Sequence, residues 1–449
     1  MKLIELKNIG GIIMENKNNN NDYALEQVPD NMKRGWVAMF SVLVAIGVDL
    51  SSVILGAELA KGLPLDQAIL SVVVGSFFMA ILYTICAVVG SSTSLSASMI
   101  TKYVFGETGA KIFSIVIGIS LLGWFGVQVG FFADNASILL FDMFGVDVSV
   151  EILSLIGGLL MMSTAVIGYK AMEKLSVYSV PFLLILMMVT LFLALQGNEI
   201  PQNDVIEGGM TFASGVSLSM SIGIVGAIIS PNISRWSKSK KDCILSSFFG
   251  MLFGNSFMII VSIVLVKVMG TSDIMKIFIM LGLAIPGIFV LTLAQWTTNT
   301  SNIYSSSLGM SLVFTKIPTS KLTIILGIVA TAMAVSGIYN SFVGFLNILG
   351  MIIAPVGGVY TSEYYIVKEE LTNINKNISN KTVVARSIVA WIIGIIVTYL
   401  ATPAPDGLGI ISITTIAPLD GFIVGFIVQS ILGKVLVTSK NKKLDKIAS

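Results

Sequence analysis

The chain contains no histidine, only two cysteines and only 12% charged residues. Each scarcity excludes something. Without histidine, any proton relay has to run through carboxylates or water. Cys86 and Cys243 have no partner at metal-ligand or redox spacing, so they read as packing residues. A soluble domain carries about twice this share of charge. Polar chain is scarce too. The longest hydrophilic stretch inside the sequence, 368–381, leaves no room for a separate soluble domain. A net charge of +2 offers no footprint for nucleic acid. No nucleophile–base pair or zinc-ligand spacing stands out, so the sequence does not read as an enzyme.

What fills the chain instead is apolar. Twelve stretches, each about as long as the hydrocarbon core of a bilayer is thick, cover 36–60, 67–91, 110–141, 150–168, 175–196, 213–236, 244–268, 285–313, 322–338, 341–366, 384–401 and 411–437. The sequence therefore predicts an all-α polytopic membrane protein of about twelve transmembrane helices. An even count puts both ends on one side. Of 27 Lys and Arg, only Lys61, Lys267 and Lys276 fall opposite the tails, where Asp142, Asp147, Glu151, Glu199, Asp204 and Glu207 gather. This bias predicts cytoplasmic termini in the cytoplasmic (inner) membrane. Residues 1–34, with Asn16, Asn18, Asn19, Asn20 and Asn21 around Lys17, have too little apolar surface to order themselves and read as a disordered tail. No apolar core with a cleavage site marks a signal peptide, and Met14 offers an alternative start. Residues 438–449 read as a second cytoplasmic tail.

Polar groups kept inside such spans carry function by default. Two spans look breakable, and broken helices free backbone groups for ions and polar ligands. The first carries Ala45-Ile-Gly-Val-Asp49-Leu-Ser-Ser52 near its middle. The sixth carries Ser221, Gly223, Gly226, Ser230, Pro231 and Asn232. They lie five spans apart, as an inverted repeat of 35–196 (spans 1–5) and 213–366 (spans 6–10) would place them, with 384–437 as two peripheral spans. Small residues for close helix packing are the rival explanation. The third span holds Gly123-Trp-Phe-Gly-Val-Gln128, and the eighth, again five later, holds Ala294-Gln-Trp-Thr-Thr-Asn-Thr-Ser-Asn302.

Trp124 and Gln128 share one helix face a turn apart. An indole beside an amide suits a planar heterocycle; an interfacial belt for Trp124 and interhelical bonding for Gln128 are the alternatives. Thr297 and Thr298, with carbonyls freed in the first span, can form an all-oxygen cage for Na⁺, or their hydroxyls can bond to their own helix. Asn299 adds an amide. Asp49, a carboxylate at mid-span, has three open roles: complementing Na⁺, accepting a coupling proton (the alternative, H⁺ coupling), or binding a substrate amine. Asp134 reads as a vestibule or structural group, and Asp420 as marking a local break.

These residues resemble the nucleobase–cation symporters of the purine/cytosine permease type, over nearly the whole chain and most like bacterial cytosine permeases. The motifs are Gly123-Trp-Phe-Gly126, Gly254-Asn-Ser256, Trp296-Thr-Thr-Asn299, and Asn340-Ser-Phe-Val-Gly344 through Pro355-Val-Gly-Gly358. The resemblance implies a leucine-transporter-like fold of 5+5 inverted repeats plus two peripheral helices, working by alternating access as one chain without a partner subunit. It implies a nucleobase or related heterocycle as substrate, with no cofactor beyond a coupling cation. Trp124 would be the platform for the base, and Asn299 and Gln128 would be polar contacts. Thr297 and Thr298 with the carbonyls of Ala45 and Val48 would hold Na⁺. Three positions depart from the cytosine permeases: Gly223 stands where the sixth span would offer an aromatic, Ala294 replaces an Asn, and Asp49 replaces an aromatic. A wider pocket with a carboxylate suits a bulkier or amine-bearing heterocycle, such as a purine or a thiamine-precursor pyrimidine; Gln128 resembles the hydantoin, allantoin and uracil branch, and an amine symporter on the same fold, with Asp49 meeting the ammonium, is the rival.

Overall fold

The computed structural model describes residues 27–167, 169–196, 209–311, 313–369, 371 and 382–448. Residues 1–26, with the Asn cluster and Met14, lie outside them, as do Glu199, Asp204, Glu207 and most of 368–381. The first apolar stretch is split into α1 (Trp36–Gly47) and α2 (Leu50–Gly62), bent by 54°. α3 (Leu65–Thr93), α4 (Ala97–Phe144), α5 (Val150–Ile167) and α6 (Tyr169–Leu195) follow. The sixth stretch falls into three pieces, α7 (Phe212–Ser221), α8 (Ile224–Ile228) and α9 (Pro231–Ser234). Then come α10 (Lys240–Met269), a short α11 (Ile274–Met280), α12 (Ala284–Ser311), α13 (Thr319–Val335), α14 (Phe342–Ser362), α15 (Ala385–Ala401) and α16 (Ala417–Ala448). Among the described residues, five helices are long and apolar enough to cross a bilayer, or six counting the bent pair as one span. Among them, too, the one isolated β-bridge joins Arg34 to Ser237.

Both expected breaks are real. α1 ends at Gly47 because Val48 (φ −90°, ψ 81°) and Asp49 (φ −138°, ψ 172°) leave the helical region. In the sixth span, Gly223 and Ile229 sit near φ −90°, ψ 0°, and Pro231 restarts the last piece. Helix α1 packs mainly on α10. The crossing is so close that a Cβ on Gly47 would lie 2.3 Å from the Gly254 carbonyl carbon. Gly254, the first residue of the Gly-Asn-Ser motif, is therefore a packing residue. α3 also packs on α10, α4 on α12 and α13, and α14 and α15 on α16. The third stretch is longer than expected. α4 begins at Ala97 and turns through Gly106 at φ 79°, a backbone conformation that suits glycine.

Residues 27–34, expected within the disordered tail, are held in place. The last turn of α3 leaves carbonyls open, which need donors. Gln27 Nε2 donates to Thr93 O (2.9 Å) and the Val28 amide to Ser94 O (3.2 Å). The Arg34 amide donates to Trp236 O (2.6 Å), and the Lys238 amide donates to Arg34 O (2.8 Å). At the other end, α16 remains helical through Ala448 rather than stopping at 437.

Candidate substrate and ion site

The first-span break has its own hydrogen-bond economy. Asp49 is the N-cap of α2. Its Oδ1 accepts from the Ser52 amide at 2.9 Å, and a carboxylate at a helix N-terminus also meets the positive end of the helix dipole. Ser52 Oγ donates to Gly47 O (3.1 Å). Because Asp49 and Leu50 start a new helical path, the Ala45 and Ile46 carbonyls lose the amides that a continuous helix would have aimed at them. Capping thus explains a mid-span carboxylate without a substrate amine.

Trp124 and Gln128 do share one face of α4, and both are buried. Gln128 Nε2 donates to Ser51 Oγ on α2 (3.3 Å), while its Oε1 has no partner. Trp124 meets Phe345 and Phe342 of α14 edge to face, with ring centroids 5.3 and 6.2 Å away. Phe131, one turn beyond Gln128, meets Phe342 (5.3 Å) and Tyr339 (6.0 Å). Aromatic rings from α14 and its lead-in therefore cover the Trp124 side of the site. In sequence these rings were legible only as Phe342 within the Asn340–Gly344 motif and Tyr339 and Phe345 on either side of it, and Ser51 only as a small residue two beyond Asp49.

On α12, Thr297 Oγ1 and Thr298 Oγ1 both donate to Ala294 O, at 2.8 and 3.0 Å. The intrahelical bond weighed from the sequence is thus made. It uses each hydroxyl's proton and leaves its lone pairs free for a cation. Trp296 is turned to α5, donating to Thr164 Oγ1 (2.9 Å), and Thr300 shares that hydroxyl (3.0 Å). Asn299, expected to face the site, is fully buried with its Nδ2 directed at Met161 Sδ of α5 (3.3 Å), and its Oδ1 has no partner.

Gly223 differs from the expectation of a pocket wall. A Cβ there would meet Met79 Cε of α3 at 2.6 Å, so its bare face is turned into packing. Gly226, one turn later, has open space at the same point. The sixth-span break frees a carbonyl as well, and the second residue of the Gly-Asn-Ser motif takes it: Asn255 Nδ2 reaches Ser219 O (3.0 Å) and Ser76 Oγ (2.9 Å). Among the described residues, no three His, Cys, Asp or Glu side chains gather at metal-binding distance.

Asp420 accepts from the Ile413 and Thr414 amides (3.1 and 2.8 Å), tying down the turn before α16. Asp134 shares the C-terminal end of α4 with Asp273 and Lys276, around α11. The sequence reading did not foresee a buried ion cluster. Arg386 of α15 lies 3.2 Å from Glu363 and 2.6 Å from Glu369, and Gln429 of α16 donates to Glu363 at 2.9 Å.

A sequence model of the family described as permeases for cytosine/purines, uracil, thiamine and allantoin matches residues 27–427. The chain belongs to this permease family. Among curated relatives of this permease, the cytosine permease of Escherichia coli (strain K12) is 29% identical over 347 residues, covering 77% of this chain and 81% of that protein. The hydantoin permease of Microbacterium maritypicum is 22% identical over 380 residues, covering 76% and 75%. The permease also shares its fold with the nucleobase–cation-symport-1 transporter Mhp1. The inward-facing structure gives a TM-score of 0.78 at 16% identity, covering 92% of this chain and 93% of that one. The closed structure with bromovinylhydantoin gives 0.73. The permease is a multi-pass helical membrane protein that shares the fold of this transporter.

Proposed function

We propose that this permease is a secondary symporter that imports a nucleobase or closely related planar heterocycle with Na⁺ across the cytoplasmic membrane, by alternating access. The observation that carries this reading is the buried pair on α4. Trp124 offers an aromatic face, and one turn away Gln128 holds Ser51 with its amide nitrogen while its Oε1 stays open to a ligand donor. An unpartnered acceptor inside a membrane protein costs free energy unless a ligand or water completes it. The names of the relatives, a cytosine permease and a hydantoin permease, support the same substrate class.

For the ion, the proposed ligands are the carbonyls of Ala45 and Val48 with the hydroxyls of Thr297 and Thr298, four neutral oxygens of the kind hard cations select. Na⁺ suits them, and H⁺ has no better acceptor among the groups at the break than a capping Asp49. Capping also weighs against an amine substrate. Ion binding would bias the conformational equilibrium only through its different affinity for the two states. The working unit is one chain, with its N- and C-terminal segments on the cytoplasmic side.

The test is uptake into proteoliposomes of labelled cytosine, uracil, adenine, hypoxanthine, hydantoin and hydroxymethylpyrimidine, first with an inward Na⁺ gradient and then with a pH gradient alone. Uptake of one planar base driven by Na⁺ is expected. Uptake driven by pH alone would remove the sodium site, and no uptake of any heterocycle would remove the substrate class.

A further inference from the structure

We propose that Gln295 is a specificity-determining residue: it lies level with Gln128 on the stripe of α12 that meets α4, and the two amides together read the hydrogen-bonding edge of a planar ligand seated on Trp124. This deepens the base-transport reading and rests on it.

Gln295 is only 2% exposed, yet neither its Oε1 nor its Nε2 has a partner. Its neighbours on the same helix are otherwise occupied. Trp296 and Thr300 are bound to Thr164, and Thr297 and Thr298 to Ala294 O. A primary amide has two donors and two acceptor sites. Leaving all of them empty at this depth is expensive in a membrane protein, and the expense is recovered if a ligand fills them.

The register places this amide. α4 and α12 run antiparallel. Near one end of the pair Ser306 Oγ donates to Gly118 O (3.0 Å), and a Cβ on Gly118 would meet Met310 Cε. Near the other, Asp134 of α4 faces Asp273 and Lys276, and Phe278 of α11 packs on Gly287 of α12. From the Gly118–Ser306 contact, Gln128 lies about 15 Å outward along α4 and Gln295 about 16 Å outward along α12, at about 1.5 Å per residue. The two glutamines are therefore level. Gln295 and Ser306 are about three full turns apart, so Gln295 shares the stripe of α12 that meets α4. Trp296, about 100° round the helix, is the residue turned to α5. α12 also touches α2, whose Ser51 Gln128 holds. Gln295 thus faces the region bounded by α4, α12 and the first-span break.

The chemistry narrows the ligand. Gln128 keeps both acceptor sites of its Oε1 and the second N–H of its Nε2, the first being given to Ser51. Gln295 presents a donor and an acceptor side by side, the complement of a lactam or amidine edge in which a ring N–H neighbours a carbonyl, or a ring nitrogen neighbours an amino group. Because a glutamine amide can be turned over, it can serve either order.

The experiment measures equilibrium binding to the purified full-length permease. The probes are cytosine and uracil, each alongside its N1-methyl and N3-methyl derivatives, against wild type, Gln295→Met and Gln295→Glu. Met keeps the volume and removes the amide. Glu keeps the shape and removes the donor. In wild type, methylation at one ring nitrogen is expected to weaken binding by about tenfold, the worth of one or two hydrogen bonds. In Gln295→Met, that penalty should vanish while the parent base binds about tenfold more weakly, and Gln295→Glu should likewise lose affinity. A methylation pattern unchanged in both variants would overturn the assignment of Gln295 and leave the base reading standing. A wild type that binds none of the six compounds would overturn the base reading, and this inference with it.

Discussion

Asn255 Nδ2 lies 3.0 Å from the Ser219 carbonyl at the point where the sixth span stops being one helix. The same amide holds Ser76 of α3. A break in a membrane helix is tolerable only if the freed backbone group finds a partner, and here one side chain from α10 supplies it. Asn255→Leu should therefore lower the melting temperature and abolish most uptake, although it removes no ligand contact. Interhelical hydrogen bonds in membranes average about 0.6 kcal/mol each, so the stability loss should be about 1–2 kcal/mol, and a larger share of the effect should appear in transport. Thermal melting in detergent and initial uptake rates check both.

Gly47 packs against Gly254, and the three atoms nearest a Cβ on Gly47 are all backbone atoms of Gly254. No flexible side chain can give way. Gly47→Ala should force α1 off α10 and shift the first-span break, reducing both folded yield and Na⁺-dependent uptake. Gly226→Ala, placed in open space within the sixth span, should fold normally. Size-exclusion profiles of the two variants separate the cases.

Asp49 is an N-cap, and Asn caps nearly as well as Asp whereas Ala does not. Asp49→Asn should retain stability, Na⁺-driven uptake and an unchanged pH profile. Asp49→Ala should lose about 1 kcal/mol of stability and a larger fraction of transport. Loss of pH dependence in Asp49→Asn would instead make this carboxylate the proton acceptor.

Thr297→Ala and Thr298→Ala each remove one oxygen from the proposed ion site while leaving the Ala294 carbonyl merely unbonded by one donor. The Na⁺ concentration giving half-maximal uptake should rise by about tenfold for each, and Ser at either position should restore most of it, because the hydroxyl is what binds. A Na⁺ titration of uptake reads this directly.

Arg386 is buried between Glu363 and Glu369. Removing one partner of such a cluster leaves charge uncompensated and costs about 3–5 kcal/mol. Arg386→Met should be strongly destabilised, and adding Glu363→Gln should recover part of the loss. Melting temperatures of the single and double variants give the coupling.

The sequence made the architecture legible because a bilayer forces long apolar runs and makes every interruption visible. The breaks at Gly47–Asp49 and Gly223–Pro231 could be read from small residues and proline alone. Side-chain direction could not. Gly223 was read at the substrate pocket, but its bare face is turned toward Met79, and no periodic pattern predicts which way a residue faces where the helix is interrupted. Asn299 turned to α5 for a similar reason, since its face is decided by which neighbour packs closest. The Arg386 cluster was hidden because Glu363, Glu369, Arg386 and Gln429 are spread over as many as 66 residues, and no local spacing joins them.

The lead-in to α1 and the exit from the sixth-span break are stitched together by one reciprocal pair of backbone hydrogen bonds, through Arg34 on one side and Trp236 and Lys238 on the other. Backbone bonds of this kind depend on no side chain and tolerate little slack. Whatever path the first half-helix follows during the transport cycle, it must either carry the 236–238 turn along or break both stitches before moving. The N-terminal end of the first interrupted span and the C-terminal end of the sixth are thus yoked, and the yoke sits outside the proposed substrate site altogether.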